Sequence, residues 1–315
     1  MGMALRQAKL GVEVVGHDRE PEAAGQARKK AAVDQVSWSL RGAVEGAQLV
    51  IIATPVLAIK EVLEQIAPYL SEGTVVTDTG STKADVIGWA EELLPEMVSF
   101  VGGHPMAGKE VQGIAHAQPD LFKGATYCII PGQGASTTAV QIVVVLADVV
   151  GARPYFLDAT EHDNFVAGVS HLPLLLSSAL VSALTRSSSW KDMSRLAATG
   201  FKDVSRLASS DPRMSRDICL TNREAVVRWV DDFVAELNHY RALILEDGAE
   251  LEKEFTWARL EREKWLRRPP PEAEEAATVP IPSFGERMTA MLIGERLARR
   301  GQETIRRLEG KDRGD

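Results

Sequence analysis

Cysteine is scarce in this 315-residue chain: Cys128 and Cys219 are the only two, each in an apolar run. Two isolated thiols build neither a disulfide framework nor a metal-ligand spacing. A reducing cytoplasm is the expected setting, and no metal is expected. Positive charge is also short. Lys and Arg number 36 against 44 Asp and Glu, a net charge of −8, which argues against nucleic acid or an anionic membrane as partner. No charged-then-apolar leader follows Met1, so no signal peptide is expected. Gly2 invites a myristoylation reading, but Arg6 stands where that signal takes Ser or Thr. One stretch, Asn164 to Thr185, has no Asp, Glu, Lys or Arg. It holds His171, Pro173 and four serines, and no second such segment accompanies it. A helix buried on all sides, in a helical domain or a dimer, explains it better than a membrane span.

The chain opens MGMALRQAKLGVEVVGHDRE. Met3 to Gly11 reads as the end of a helix with a glycine stop, and Val12 to Asp18 as a short buried strand ending in an acid. That is the second half of a dinucleotide-binding βαβ unit. Its first half, a strand and a Gly-rich turn, would stand just before Met1. The expectation is that the working protein begins upstream, and that a version so extended binds NAD much more tightly. The alternation then continues. Strands are expected at Gln48 to Ala53, Thr74 to Asp78, Val98 to Gly102, Thr126 to Pro131 and Arg153 to Leu157. Helices are expected at Glu20 to Ala32, Pro55 to Leu70, Thr82 to Leu94 and Thr137 to Val150. This implies an α/β Rossmann-like domain with a parallel sheet, lacking its first strand, over 1–157. From 158 to 265 the periodicity is helical throughout, an all-α domain. Residues 266–315 begin with the Pro- and Glu-rich LRRPPPEAEEAATVPIP, read as a linker, and continue as a helix-like tail over Phe284 to Leu308.

Chemistry-bearing residues sit where strands end. Asp18 is placed to hydrogen-bond the ribose hydroxyls of NAD; neighbouring Arg19 leaves NADP open. The turn ATPVLAI brings Thr54 and Pro55 to the carboxyl end of a strand, where a backbone can approach a cofactor. DTGSTK supplies Thr79, Gly80, Ser81 and Lys83 at a strand-to-helix turn. There Ser81 either faces a polar ligand or caps the helix. GGHPMAG holds His104 between glycines and Pro105, suited to proton exchange near neutral pH. His171 lies in the uncharged helix and needs a partner, in the core or in a pocket. In TGFKDVSRLASSDPRMSRDI, Asp203 lies three residues before Arg206, an arrangement suited to gripping a carboxylate.

In this order DTGSTK, GGHPMAGKE, HDNFVAGVSHLP and TGFKDVSRLASSDPRMSRDI resemble the prephenate dehydrogenase family of tyrosine biosynthesis, including its arogenate-using relatives. The resemblance runs from about Met1 to about Arg262. It implies a Rossmann domain followed by a helical substrate and dimerisation domain, a homodimer, and NAD-dependent oxidative decarboxylation of prephenate to 4-hydroxyphenylpyruvate. It implies that His104 draws the proton from the ring hydroxyl and that Ser81 orients hydroxyl and histidine. Arg206 would bind a substrate carboxylate, with Asp203 steadying it. His171 would line the pocket, and Glu110 would sit near its mouth. One departure bears on specificity: many members read SHLPH, and here position 174 is Leu174. Arogenate is therefore an alternative substrate. Two other readings remain at this point. One is a dehydrogenase of a β-hydroxy acid. The other is a cofactor-deficient dimeric binding module that kept the fold.

Overall fold

The computed structural model describes residues 1–108, 113–246 and 248–267. Glu110 and the tail helix expected at Phe284 to Leu308 lie outside the described residues. The chain divides into two compact units, Met1–Ala258 and Arg259–Asp315. In the second, the described residues are the last turns of one helix.

The first unit opens with helix α1 (Gly2–Gln7), strand β1 (Val15–Gly16), helix α2 (Pro21–Lys29), strand β2 (Gln35–Val36) and helix α3 (Leu40–Val44). There follow β3 (Leu49–Ile52), α4 (Val56–Ile66), β4 (Val75–Asp78), α5 (Ala84–Leu93) and β5 (Ser99–Pro105). The α/β half closes with β6 (Thr126–Pro131), α6 (Thr137–Val149) and β7 (Arg153–Phe156). Five strands pair in the order β3-β4-β5-β6-β7, while β1 and β2 form a separate parallel pair. The expected wholly parallel sheet needs one correction: β5 and β6 run antiparallel, with His104 opposite Cys128. Parallel neighbours need a crossover of a dozen or more residues, usually a helix. Between β5 and β6 the described residues hold only a 3₁₀ turn, Ile114–His116, so the chain returns alongside itself.

Both faces of the five-stranded sheet are covered, which is why β4 reads as an unbroken buried run. Val75 and Val101 point into a cluster with Val143, Ala147 and Val150, against which Ala4 of α1 also packs. Val76 and Phe100 point the other way, onto Ile59, Leu63 and Ile66 of α4 and Val86 and Ala90 of α5. The three α4 residues are wholly buried, and each such side chain contributes roughly 1.5–3 kcal/mol.

Beyond Asp158, whose carboxylate caps the next helix through Glu161 N, the chain is helical as expected. Helix α7 (Ala159–Val166) passes through a π turn (Ala167–His171) into α8 (Leu172–Thr185). Then come α9 (Trp190–Leu196), α10 (Thr199–Ser205), a 3₁₀ turn (Arg206–Ser209), α11 (Pro212–Thr221), α12 (Arg223–Leu245) and α13 (Gly248–Arg267). The 157/158 boundary read from the sequence falls between β7 and α7, yet α5 packs on α7 and α4 on α11, so both halves belong to one compact unit.

Within the single chain the uncharged stretch is buried on one side only. It belongs to a 27-residue helical run, 159–185, long and apolar enough to cross a bilayer. Only 28% of its most apolar window is buried within the chain. The reason is two-sidedness: His162, Asp163 and His171 are buried, whereas Phe165 and Val169 are 50% and 75% exposed.

Candidate active site

The site is built where β4 and β5 end. Val75 to Asp78 is a β-branched run closing on an acid, and Asp78 is fully buried. Its Oδ2 accepts from Gly80 N at 2.7 Å and pairs with Lys83 Nζ, which is equally buried. Its Oδ1 accepts from Gly103 N at 3.1 Å. One carboxylate thus folds the DTGSTK turn on itself and ties it to the strand carrying His104. Gly103 is needed here because a Cβ would stand 2.6 Å from Asp78 O and 2.7 Å from the Tyr127 hydroxyl. His104 is therefore held inside a strand, two residues beyond the expected end at Gly102, rather than on a turn after it.

Ser81 does not cap α5. That helix begins at Ala84, and its first amides are met from the other half of the unit. Asp163 of α7 accepts from Lys83 N at 2.8 Å and from Ala84 N at 2.9 Å. A carboxylate suits a helix N-terminus both as acceptor and as charge. Its neighbour His162 places Nδ1 2.7 Å from Asp163 Oδ1 and Nε2 2.9 Å from His104 Nδ1. Asn222 donates to Asp163 O at 2.7 Å and sits 3.2 Å from His171 Nδ1. Thr82 and Thr221 join their hydroxyls at 2.8 Å across the same seam. His171 is 1% exposed, and its Nε2 has no well-formed hydrogen bond.

His171 closes the π turn, an element that recurs at functional sites. Gly168 makes room there for Trp229, whose ring carbon would lie 2.8 Å from an added Cβ.

The electrostatics follow from burial. Desolvation holds the His104 imidazole well below its usual 6.5, and His162, the Lys83 cation and His171 push the same way. Burial likewise brings His171 down to about 4; Asp163 opposes this, His162 adds to it, and the Ser81 backbone lies close enough to raise it slightly. Both rings are neutral at pH 7, the form that accepts a proton. Burial pushes the Cys128 thiol up to about 11, so this cysteine is no nucleophile.

Ser81, His104 and His171 thus share one corner. Arg206 and Asp203 lie elsewhere in the sequence, on the α10 segment packed against α8. Both are exposed. The residues expected to hold the cofactor stand at the carboxyl ends of β1, β3 and β4. Asp18 is exposed and accepts from Glu20 N at 2.8 Å through one oxygen. Arg19 is exposed, 3.6 Å from Glu20. Pro55 immediately precedes α4, and the Thr54 hydroxyl is buried without a partner. Thr79 N donates to Ile52 O at 3.0 Å, and Gly80 is buried in the turn. An orphaned hydroxyl beside a small-residue turn, with an acid after the neighbouring strand pair, fits a dinucleotide. Among the described residues no cluster of three or more His, Cys, Asp or Glu side chains suits a metal.

The chain has known counterparts. The sequence model of the prephenate dehydrogenase nucleotide-binding domain matches residues 1–156, and that of the prephenate dehydrogenase dimerisation domain matches residues 158–256. The chain belongs to the prephenate dehydrogenase family. Within that family it is 34% identical over 252 residues to the prephenate dehydrogenase of Bacillus subtilis, covering 79% of this chain and 68% of that one. The crystal structure of prephenate dehydrogenase from A. aeolicus with hydroxyphenyl propionate and NAD+ superposes with a TM-score of 0.79 at 30% identity. That likeness covers 84% of this chain and 93% of the other. Synechocystis arogenate dehydrogenase superposes with a TM-score of 0.71 at 28% identity, covering 84% and 94%. A family of oxidoreductases with this two-part build replaces the readings as a β-hydroxy acid dehydrogenase or a bare binding module.

His162, Asp163, Asp78 and Asn222 went unread in the sequence as members of this corner. The Asp163 contact to Lys83 spans 80 residues and that of His162 to His104 spans 58. Nothing local in HDNFVAG points to the turn it meets.

Proposed function

We propose that this chain is an NAD-dependent prephenate dehydrogenase that oxidatively decarboxylates prephenate to 4-hydroxyphenylpyruvate in the cytoplasm, acting as a homodimer through its helical half. The observation that carries the reading is His104: a buried, neutral imidazole at the end of β5, with Nδ1 held by His162. Removing a hydride from an alcohol carbon requires the hydroxyl proton to leave in the same step, so a neutral base must touch that hydroxyl. NAD bound along Asp18, Arg19, Thr54, Pro55, Thr79 and Gly80 supplies the hydride acceptor. His104 draws the hydroxyl proton, Ser81 orients the hydroxyl, and His171 lines the pocket. The bond to the ring carboxylate breaks, its electrons make the ring aromatic, and the shared proton returns to what becomes the phenol oxygen. Arg206 grips a substrate carboxylate and Asp203 steadies it; a guanidinium suits a planar carboxylate better than an ammonium does.

Asp18 favours NAD, since an acid at this strand end accepts from ribose hydroxyls and repels a 2′-phosphate. The dimer follows from the apolar surface of the helical half, where Val169, Leu237 and Ile244 are exposed by 54% or more. Surface of this kind marks an interaction site. One observation favours arogenate as a second substrate. Leu174, 7% exposed on α8, stands one turn from His171 and offers no hydrogen bond to a side-chain carbonyl.

The test is reduced-cofactor formation, read at 340 nm, with prephenate or arogenate and NAD. Turnover of either is expected, and His104→Ala is expected to lower kcat on the order of 10²–10⁴-fold with little effect on NAD binding. A folded dimer that turns over neither substrate would overturn the reading.

A further inference from the structure

We propose that His162 and Asp163 are positioning residues that set the tautomer of His104, and so decide that its Nε2 is the base. The proposal rests on the reading of His104 given above. It begins with Asp163, an acceptor-only side chain when ionised. Its two oxygens already receive Lys83 N and Ala84 N. A third group, His162 Nδ1, stands 2.7 Å from Oδ1, and only a nitrogen carrying hydrogen is stable facing a carboxylate oxygen. A neutral His162 with its hydrogen on Nδ1 has a lone pair on Nε2. That lone pair lies 2.9 Å from His104 Nδ1, so His104 donates through Nδ1. Its own lone pair is then on Nε2. Each link leaves one choice for the next, and the chain Asp163–His162–His104 runs in one direction.

The alternative is that Asp163 only caps α5 and His162 only fills space. Capping accounts for the two backbone amides. It does not account for a second imidazole placed edge-on to the first, with ring centroids 5.1 Å apart and planes at 68°. That geometry aims one ring's nitrogen at the other's. The remaining ionisable neighbours of His104 are engaged elsewhere: Lys83 Nζ with Asp78, and His171 Nδ1 with Asn222. They act on its charge and not on its hydrogen.

In the reaction the substrate hydroxyl proton passes to His104 Nε2. The ring is then a cation whose Nδ1–H leans toward His162 Nε2, and His162 leans in turn on the Asp163 carboxylate. Hydrogen bonds to charged partners strengthen as that charge develops. On aromatisation the proton goes back along the same path to the phenol oxygen. No electron moves through the chain, and no further reactant is needed.

The experiment is ¹⁵N NMR on the histidine-labelled, full-length protein, with the His104 signals identified by their loss in His104→Asn. The expected result is a protonated Nδ1 and an unprotonated Nε2 on His104 at pH 7. In His162→Phe, which keeps the ring volume but offers no nitrogen, that single tautomer is expected to become a mixture. kcat is expected to fall on the order of 10²-fold or more, as when a histidine base loses its tautomer-setting partner, with KM for both reactants nearly unchanged. A wild-type spectrum with the hydrogen on Nε2 overturns the proposal whether or not any variant folds. A His162→Phe protein with undiminished kcat overturns it as well. The spectrum is read without turnover, so a wild-type protein that is inactive but shows the Nδ1–H tautomer defeats the enzymatic reading and leaves the tautomer assignment standing.

Discussion

Two corners of the same α/β half are built in opposite ways. At the ends of β4 and β5 the polar groups are buried and bonded to one another: Asp78 to Lys83, Gly80 and Gly103, and Asp163 to His162 and the start of α5. At the end of β1 they are exposed. β1 and β2 are two residues each, Val15 is 39% exposed, and Asp18 holds one backbone amide. The first corner is buried and bonded to itself; the second meets solvent. The difference suits the two tasks proposed for them. Proton transfer needs a base fixed within hydrogen-bond reach, so its supports are ordered in advance. Recognition of a ribose needs a free carboxylate oxygen, which burial among donors would remove.

Three comparisons sharpen that contrast, beginning with the largest effect. Lys83→Met leaves the Asp78 carboxylate buried without its cation, and breaking such a pair costs roughly 3–5 kcal/mol. Urea unfolding is expected to show that loss, whereas Arg19→Met at the exposed corner is expected to stay within about 0.5 kcal/mol. Equal shifts for the two would remove the distinction.

The second turns on acid. The folded-state pKa of His104 lies well below 6.5 and that of His171 is about 4, so the unfolded chain takes up protons first as pH falls. Stability from these rings is fully present above about pH 6.5 and drains away below it, reaching about 3 kcal/mol for His171 near pH 4. Melting temperatures between pH 7 and pH 4 should therefore fall more steeply in the wild type than in His171→Asn. Parallel curves would show that the buried corner is not the acid-sensitive one.

The smallest effect is expected from Asp18→Asn. It leaves unfolding unchanged within about 0.5 kcal/mol but weakens NAD binding about tenfold, the loss of one hydrogen bond to a charged acceptor. Isothermal titration measures it. Unchanged affinity would place the ribose away from β1.

Much of this was legible along the chain. The β-branched run ending at Asp78 and the glycines before His104 are local signals, and the elements formed within a few residues of where those signals stand. Gln35–Val36 and the five-residue α3 were too short to show a period. The antiparallel return of β6 was hidden because a strand's own pattern does not reveal its neighbour's direction. At the site, Ser81, His104 and His171 were legible as separate polar residues in special settings. Their companions were not, because His162 and Asp163 open a helix that looks ordinary until α5 is packed beside it.

The sequence by itself determined the alternation of the longer strands and helices, the helical second half, and which residues carry exchangeable protons, since these depend on local periodicity and side-chain chemistry. Only the tertiary structure decided that Asp163 caps a helix 80 residues earlier, that His162 meets His104, and that Lys83 is buried against Asp78. The physical reason is that burial and partnership arise where distant segments converge. A carboxylate or an imidazole has no fixed role until the groups that desolvate it and bond to it have been brought there by the fold.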